Sequence, residues 1–435
     1  MNKKITNTTR RKFLKTSAAS FGLATGIPSF FIKNGHGAEN SPNSKINIGV
    51  IGYGKRTRSL LNSALRNPDT HIVALAEVEK SRLEHGLNAA NKNGKGGSNQ
   101  TKGYVDFREM FSNHDLDAVI IGTPDHSHVV QCLLAARQGM DIYCEKPLTL
   151  TIHEGRVLAD VVKEKKIVFQ TGSQQRSEYG HRFKKAAELI RNGYLGEIRE
   201  VFVNVGAPPI PCDLPGEPIP QGTDWDLWLG PAAYRDYNSI LCPKGIHNHF
   251  PAFRKYSEFA GGPLADIGAH HFDIVQWALG MDNTGPISIT PPENGSKRDL
   301  VFEYANGIKL THGGKGSITF IGSEGTLNVG RGSISADPSH ILDIELKTTD
   351  TPVYHSTNHM RNWLDCIHSR KDPICTAEIG HRSASICHLA NLGYLLNRPL
   401  KWDPKKEEFI GDEAANKHLH RKARAPWNLA ELNKA

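Results

Sequence analysis

Three short stretches carry side chains whose types and spacing could do chemistry. In "CEKPLTL", Cys144–Leu150, Glu145 and Lys146 follow an apolar run and precede Pro147. Proline keeps the residue before it out of the helical region, so Lys146 reads as the end of a strand. In "GGPLADIGAHHFDIVQWALG", Gly261–Gly280, Asp266, His270 and Asp273 stand at i, i+4 and i+7, which a helix brings to one face. In "KINIGVIGYGKR", an apolar run ends in Gly52-Tyr53-Gly54, the turn that lets backbone approach a pyrophosphate at a helix N-terminus. A lysine on the rim of a dinucleotide crevice can hydrogen-bond a substrate oxygen and stabilise the alkoxide that develops as hydride leaves carbon. A histidine suits proton transfer because its ordinary pKa, about 6.5, lies near working pH.

Those groups need a scaffold, and the hydrophobic pattern supplies one. After the strand "KINIGVIGYG" comes a helix expected at Arg58–Asn67, then "HIVALAEV", "DAVIIGTP", a helix at His128–Gln138, "DIYCEK", a helix at Ile152–Lys166 and "IVFQTG". Short apolar strands alternating with helices predict an α/β class fold with a doubly wound parallel sheet. Ligands then gather at the C-terminal ends of the strands. That rim holds Gly52, Tyr53, Gly54, Lys55, Arg56, Glu77, Thr123, Pro124, His128, Glu145 and Lys146 as the cofactor set. Glu77 ends the second strand, 23 residues after Gly54, where an acid suits the ribose hydroxyls of NAD and repels a 2′-phosphate. No arginine immediately follows it, so NAD is expected over NADP. Thr57 stands where the fingerprint has Gly or Ala.

Composition narrows the partners. Residues 1–38 hold seven of the 53 Lys and Arg and no acid, which leaves 46 basic against 45 acidic residues beyond them. No broad basic footprint for nucleic acid or membrane remains, and no run of 18 apolar residues predicts a membrane span. The tail "KHLHRKARAPW" is locally basic and reads as a solvated surface segment. Seven cysteines without a CxxC predict neither a zinc ribbon nor a disulfide framework. His247-x-His249 is a single pair without a third ligand, so no metal is expected.

"GVIGYG", "TPDHSH", "CEKPLTL" and the Gly261–Gly280 stretch together resemble the Gfo/Idh/MocA family, which includes glucose–fructose oxidoreductase and inositol dehydrogenase. The match runs from about Lys45 to near the C-terminus. The resemblance implies a Rossmann domain followed by a larger α/β domain with an open, mostly antiparallel sheet. "EIREVFVNV", "DLVFEYANGIKLTHGG" and "GSITFIGSEGTLNVG" are candidate strands for it, with Asn306-Gly307 a hairpin turn. The expected boundaries are 46–166 for the NAD-binding domain and 167–435 for the substrate and oligomerisation domain, with helices from about 359 packing back on the first. By the family motif, the Lys146–Pro147 bond is often cis, Lys146 is catalytic, and His270 accepts the substrate hydroxyl proton with Asp266 supporting. His271 turns away. Gln174, Arg176, Trp225 and Asp273 are the expected substrate-binding set, with Gln175 and Trp228 beside them, against the plainer reading of core and loop packing.

The resemblance makes the expected activity NAD-dependent oxidation of a sugar or glycoside hydroxyl, C3 of a glucoside being the preferred case, in a dimer or tetramer. A glycosidase using NAD in a transient redox cycle and a non-enzymatic carbohydrate-binding protein are the alternatives. Finally, "TRRKFLK", Thr9–Lys15, resembles a twin-arginine export signal, followed by a weakly apolar stretch and a linker at 39–45. Such substrates fold, and often load their cofactor, before transport to the periplasm. The expected cofactor is therefore tightly held, with an arm near Glu39–Lys45 over the adenosine, as glucose–fructose oxidoreductase suggests.

Overall fold

The computed structural model describes residues 45–93, 100–429 and 432. The stretch expected to be an export signal and the expected arm, up to residue 44, lie outside them.

The first domain is built on β1 (Ile46–Ile51), β2 (Thr70–Ala76), β3 (Lys102–Tyr104), β4 (Ala118–Ile121), β5 (Asp141–Cys144) and β6 (Phe169–Thr171). Its helices are α1 (Lys55–Leu65), α2 (Lys80–Asn93), α3 (Phe107–Asn113), α4 (His128–Arg137) and α5 (Ile152–Lys165). The strands lie in the order β3-β2-β1-β4-β5-β6, every neighbouring pair parallel. The order reverses between β1 and β4, where a doubly wound sheet opens its ligand crevice. Burial on both faces explains the continuous apolar runs of β1, β4 and β5.

Three details differ from expectation. The first helix starts at Lys55, directly behind Gly54, rather than at Arg58. The edge strand β3 was not anticipated, because Lys102 and Gly103 are exposed and leave no apolar signature. The parallel sheet also runs past residue 166: Phe169–Thr171 is fully buried and pairs with β5, so the expected boundary cuts off its last strand.

The second domain adds α6 (Arg182–Arg191), β7 (Ile198–Val203), α7 (Trp225–Leu229), α8 (Gly262–Leu279), β8 (Ser288–Thr290), β9 (Val301–Glu303), β10 (Lys309–His312), β11 (Ile318–Gly322), β12 (Thr326–Val329) and β13 (Ile334–Asp337). After α9 (His359–Ser369) and α10 (Ala377–Leu396), β14 (Leu400–Asp403) and β15 (Glu408–Phe409) complete a sheet ordered β13-β12-β11-β7-β10-β9-β8-β14-β15. Its pairs are antiparallel except β7 with β10. Asn306-Gly307 does turn the β9–β10 hairpin, with Gly307 at φ +83°, a conformation glycine adopts without cost.

Helix α8 is apolar nearly all round and lies between the second sheet and α10, as a fully buried helix must. Helix α9 returns to the first domain: Met360, Trp363 and Leu364 join Ile46, Ile48 and Tyr143 in one core, and Arg361 grips Asp69 with two bonds of 2.7 and 2.8 Å. Residues 204–261, between β7 and α8, form a cover with its own small core around Trp225, Trp228, Tyr237 and Phe259. The basic tail is not a solvated segment: Trp427 is buried against Phe107 and the guanidinium of Arg108.

Candidate functional site

The crevice at the β1/β4 switch point has about 890 Å³ of empty space, open solvent included. Gly52 turns the chain at φ +79° and donates to the Ala76 carbonyl at 2.8 Å. A Cβ there would lie 2.9 Å from Thr123 Cγ2. At Gly54 a Cβ would meet nothing within 4 Å. This open ground fronts the N-terminus of α1, whose first turn carries no acid, a position suited to phosphate. Thr57, the departure from the fingerprint, is wholly buried and donates to the Gly122 carbonyl at 3.1 Å. A Cβ on Gly122 would come within 2.2 Å of the Thr57 hydroxyl oxygen. The glycine needed for close helix–strand packing is thus supplied by β4's end instead of by α1.

Glu77 is buried at the end of β2. Its carboxylate accepts the Tyr53 N–H at 2.6 Å, the Glu79 N–H at 3.0 Å and Arg82 Nη2 at 2.9 Å. The arginine absent from the residues directly after Glu77 is therefore supplied one helical turn later, and Arg82 also lines the crevice. Tyr53, Lys55, Arg56, Thr123 and Pro124 line it as expected. His128 does not: it is buried beneath the rim, its ring nitrogens 2.9 Å from the carbonyls of Pro147 and Thr123. It fixes the two rim loops to each other, with no ring nitrogen left for a cofactor. Glu145 is likewise a holder, accepting from Arg56 Nε and Gln174 Nε2, both at 2.8 Å.

The candidate reacting groups Lys146, Asp266 and His270 lie outside the crevice's lining, and Arg254, which does line it, comes within 3.6 Å of Asp266 Oδ1. The Lys146–Pro147 bond is cis, and Lys146 Nζ donates to the Asp266 carbonyl at 2.6 Å and to Asp266 Oδ1 at 2.8 Å. An ammonium has three N–H donors, so one remains for a substrate oxygen. Burial pushes Asp266 up, but Lys146 and Arg254 outweigh it and hold the carboxyl below its usual range. One turn along α8, burial first and then the charges of Lys146 and Arg331 hold His270 well below the ordinary histidine pKa. Its ring is neutral at neutral pH. Nδ1 is buried without a hydrogen-bond partner. The chain thus presents an N–H donor and a neutral base on neighbouring elements, Lys146 after β5 and His270 one turn beyond Asp266 on α8.

The expected substrate set is not in this cleft. Arg176 and Asp273 are completely buried against each other, with bonds of 2.8 and 2.7 Å, and Arg176 also grips Asp282. Asp273 shares the face of Asp266 and His270, but at about 1.5 Å rise per residue it lies some 10 Å deeper along the axis than Asp266. Gln174 is spent on Tyr143 and Glu145. Trp225 is buried, stacks on Trp228 at 4.6 Å and donates to the Arg235 carbonyl, so its face is not free for a sugar. Gln175 is also buried. His271 is buried, and burial lowers its pKa to about 4. His247 Nδ1 donates to the His249 carbonyl, and among the described residues no group of three metal-ligating side chains is gathered.

Sequence reasoning missed three residues. Arg254 of the cover reaches to 3.6 Å from Asp266 Oδ1 while lining the crevice. Arg331, in the loop after β12, lies over the Tyr179 ring at 5.1 Å and acts on the charge of His270. Asp125, inside "TPDHSH", is buried, and burial raises its pKa despite His128 and Arg254. Only Asp125 had a signal, its place in the quoted motif; Arg254 and Arg331 come from distant loops that only the fold brings in.

Two family models cover most of the chain. One described as "Oxidoreductase family, NAD-binding Rossmann fold" matches residues 46–173, and one described as "Oxidoreductase family, C-terminal alpha/beta domain" matches 210–429. Among curated proteins, 1,5-anhydro-D-fructose reductase of Ensifer adhaerens is 23% identical over 61% of this chain and 66% of its own length. Levoglucosan dehydrogenase of Pseudarthrobacter phenanthrenivorans is 29% identical over 62% of this chain and 60% of its own. These alignments therefore span less than two thirds of either relative. The crystal structure of aldose-aldose oxidoreductase from Caulobacter crescentus, complexed with glycerol, superposes with a TM-score of 0.56 at 16% identity, over 82% of this chain and 99% of that one; that likeness is one of fold.

Proposed function

This chain belongs to the Gfo/Idh/MocA family of oxidoreductases, and from that premise we propose that it transfers hydride from a sugar or glycoside hydroxyl to a tightly held NAD, C3 of a glucoside being the preferred case. The observation that carries this reading is the grouping of Lys146, Asp266 and a neutral His270, linked to the crevice by Arg254, which lines it and lies 3.6 Å from Asp266 Oδ1. The crevice residues fit a dinucleotide: Gly54 leaves open ground for a pyrophosphate at the start of α1, and the buried Glu77 at the end of β2 is the acid that suits ribose hydroxyls. When bound, nicotinamide supplies the hydride acceptor and, where free nucleotide is scarce, the donor to a second sugar.

The chain's own residues do the rest. Lys146 holds the substrate oxygen with its free N–H and stabilises negative charge as it develops. His270 Nε2 takes the hydroxyl proton while the carbinol C–H bond breaks and the C=O bond forms. Asp266 keeps Lys146 aimed, and Arg56, pinned by Glu145, adds positive charge near the pyrophosphate. The likeness to a 1,5-anhydro-D-fructose reductase and a levoglucosan dehydrogenase supports a carbohydrate substrate. Export through the Thr9–Lys15 motif and assembly as a dimer or tetramer belong to the same proposal.

The test is reduction of NAD by a panel of methyl glycosides. Lys146→Ala and His270→Ala should each lower turnover by roughly a hundredfold or more, the scale of positioned acid–base groups, with NAD binding retained. Wild-type turnover in His270→Ala would reassign the base.

A further inference from the structure

The crevice has two walls of different origin. The rim of the first domain forms one, with Phe107 at its foot; the cover forms the other, through Leu227, Trp228, Phe250 and Arg254. The cover has a core of its own, and its hold on the first domain includes Arg82 Nη1 to the Pro243 carbonyl at 2.6 Å and His126 Nε2 to the Trp228 carbonyl at 3.0 Å. The chain after α10 bears on that hold. Residues 417–429 leave the second domain and run back across the first, and three side chains attach them.

Arg421 joins three parts at once. Its Nε donates to Glu154 Oε1 at 2.9 Å, Nη2 to the His126 carbonyl at 2.8 Å, and Nη1 to the Glu258 carbonyl at 3.4 Å. Those acceptors belong to α5, to the turn that follows rim residue Pro124, and to the cover. Arg424 grips the crevice-lining helix α7: it pairs with the Asp226 carboxylate, donates to the Asp226 carbonyl at 2.9 Å, and reaches the Gly230 carbonyl at 3.1 Å. Its own N–H bonds the Pro231 carbonyl. Trp427 then anchors the end, 3% exposed, stacked on Phe107 at 6.1 Å and capped by Arg108 at 4.7 Å. Three of the partners, His126, Asp226 and Phe107, thus fall on, or next to, a residue of the crevice wall.

We infer that residues 417–429 are a clasp that fixes the cover to the first domain, so that Arg421, Arg424 and Trp427 act as positioning residues governing how long a nucleotide stays in the crevice. The nucleotide part rests on the proposed function; the clasp itself does not. Planar guanidinium forks on backbone carbonyls and a carboxylate give this hold direction as well as strength. The retention expected of the N-terminal arm has, on this inference, a second source at the other end of the chain.

The test uses the full chain, wild type against the Arg421→Ala/Arg424→Ala double variant and Trp427→Ala. Hydrogen–deuterium exchange without nucleotide should quicken about tenfold or more at the amides of α7, with the amides of β1 and β4 unchanged. Release of bound NADH, followed by its fluorescence after a chase with excess NAD, should quicken by a similar factor. If the alanine variants do not fold, Arg424→Gln, which keeps Arg421 and Trp427, should show the same changes in smaller degree. Folded variants with wild-type exchange at α7 and wild-type NADH release would overturn the clasp. Wild-type protein that takes up no NADH would instead defeat the nucleotide reading, and α7 exchange alone would then decide the inference.

Discussion

His270 shows what residue-scale reading can reach. Its spacing from Asp266 and the family motif pointed to a base, and the fold puts it one turn from the partner of Lys146. Its charge state was not readable from spacing, because it depends on burial and on Arg331, a residue 61 positions away in sequence. With the folded pKa lowered, the ring is neutral above that lowered value and gains a proton only as pH falls through it. The acid limb of kcat/KM should therefore lie below the ordinary histidine value of about 6.5. A pH–rate profile with its acid limb at or above that value would contradict the assignment. Gln174, Arg176 and Trp225 show the converse. Polar or aromatic side chains look like ligands, yet their partners Glu145, Asp273 and the Arg235 carbonyl lie outside their own elements, so one-dimensional reading leaves them free when they are spent.

At the scale of elements, the strands of the parallel sheet were legible because burial on both faces writes a continuous apolar run, and α8 because glycines and DxGxH frame it. Strand β3 was not, being short and exposed, and neither was the cover, whose core is made by aromatic residues scattered over irregular chain. The Arg176–Asp273–Asp282 network is also an element-scale feature: it joins the turn after β6 to α8 and its end. Losing one partner of such a fully buried pair costs about 3–5 kcal/mol, since the other charge is left without compensation. Asp273→Asn should thus lower the urea midpoint markedly. If it instead left stability untouched and raised KM for the glycoside, Asp273 would return to the substrate set.

Across the described residues, two domains, a cover and a returning tail enclose the crevice, and the proposed export would give that enclosure a purpose. A protein that leaves the cytoplasm meets little free NAD, so on the proposed reading the cofactor travels inside it and is recycled by a second sugar. Arg10→Lys/Arg11→Lys should then leave the protein in the cytoplasm; unchanged periplasmic yield would remove export from the account. The double match of motif and fold made the general architecture readable from the chain, whereas the docking of Trp427 was hidden in a stretch that composition alone marks as surface.

The measurement that bears most directly on the central claim is nucleotide recovery from exhaustively dialysed protein, after a methyl glucoside has been added without free cofactor. The account predicts close to one nucleotide per chain, NAD rather than NADP, converted to its reduced form by the glycoside and reoxidised when a keto-sugar follows. Protein that yields no nucleotide, or whose activity depends entirely on NAD added from outside, would contradict it.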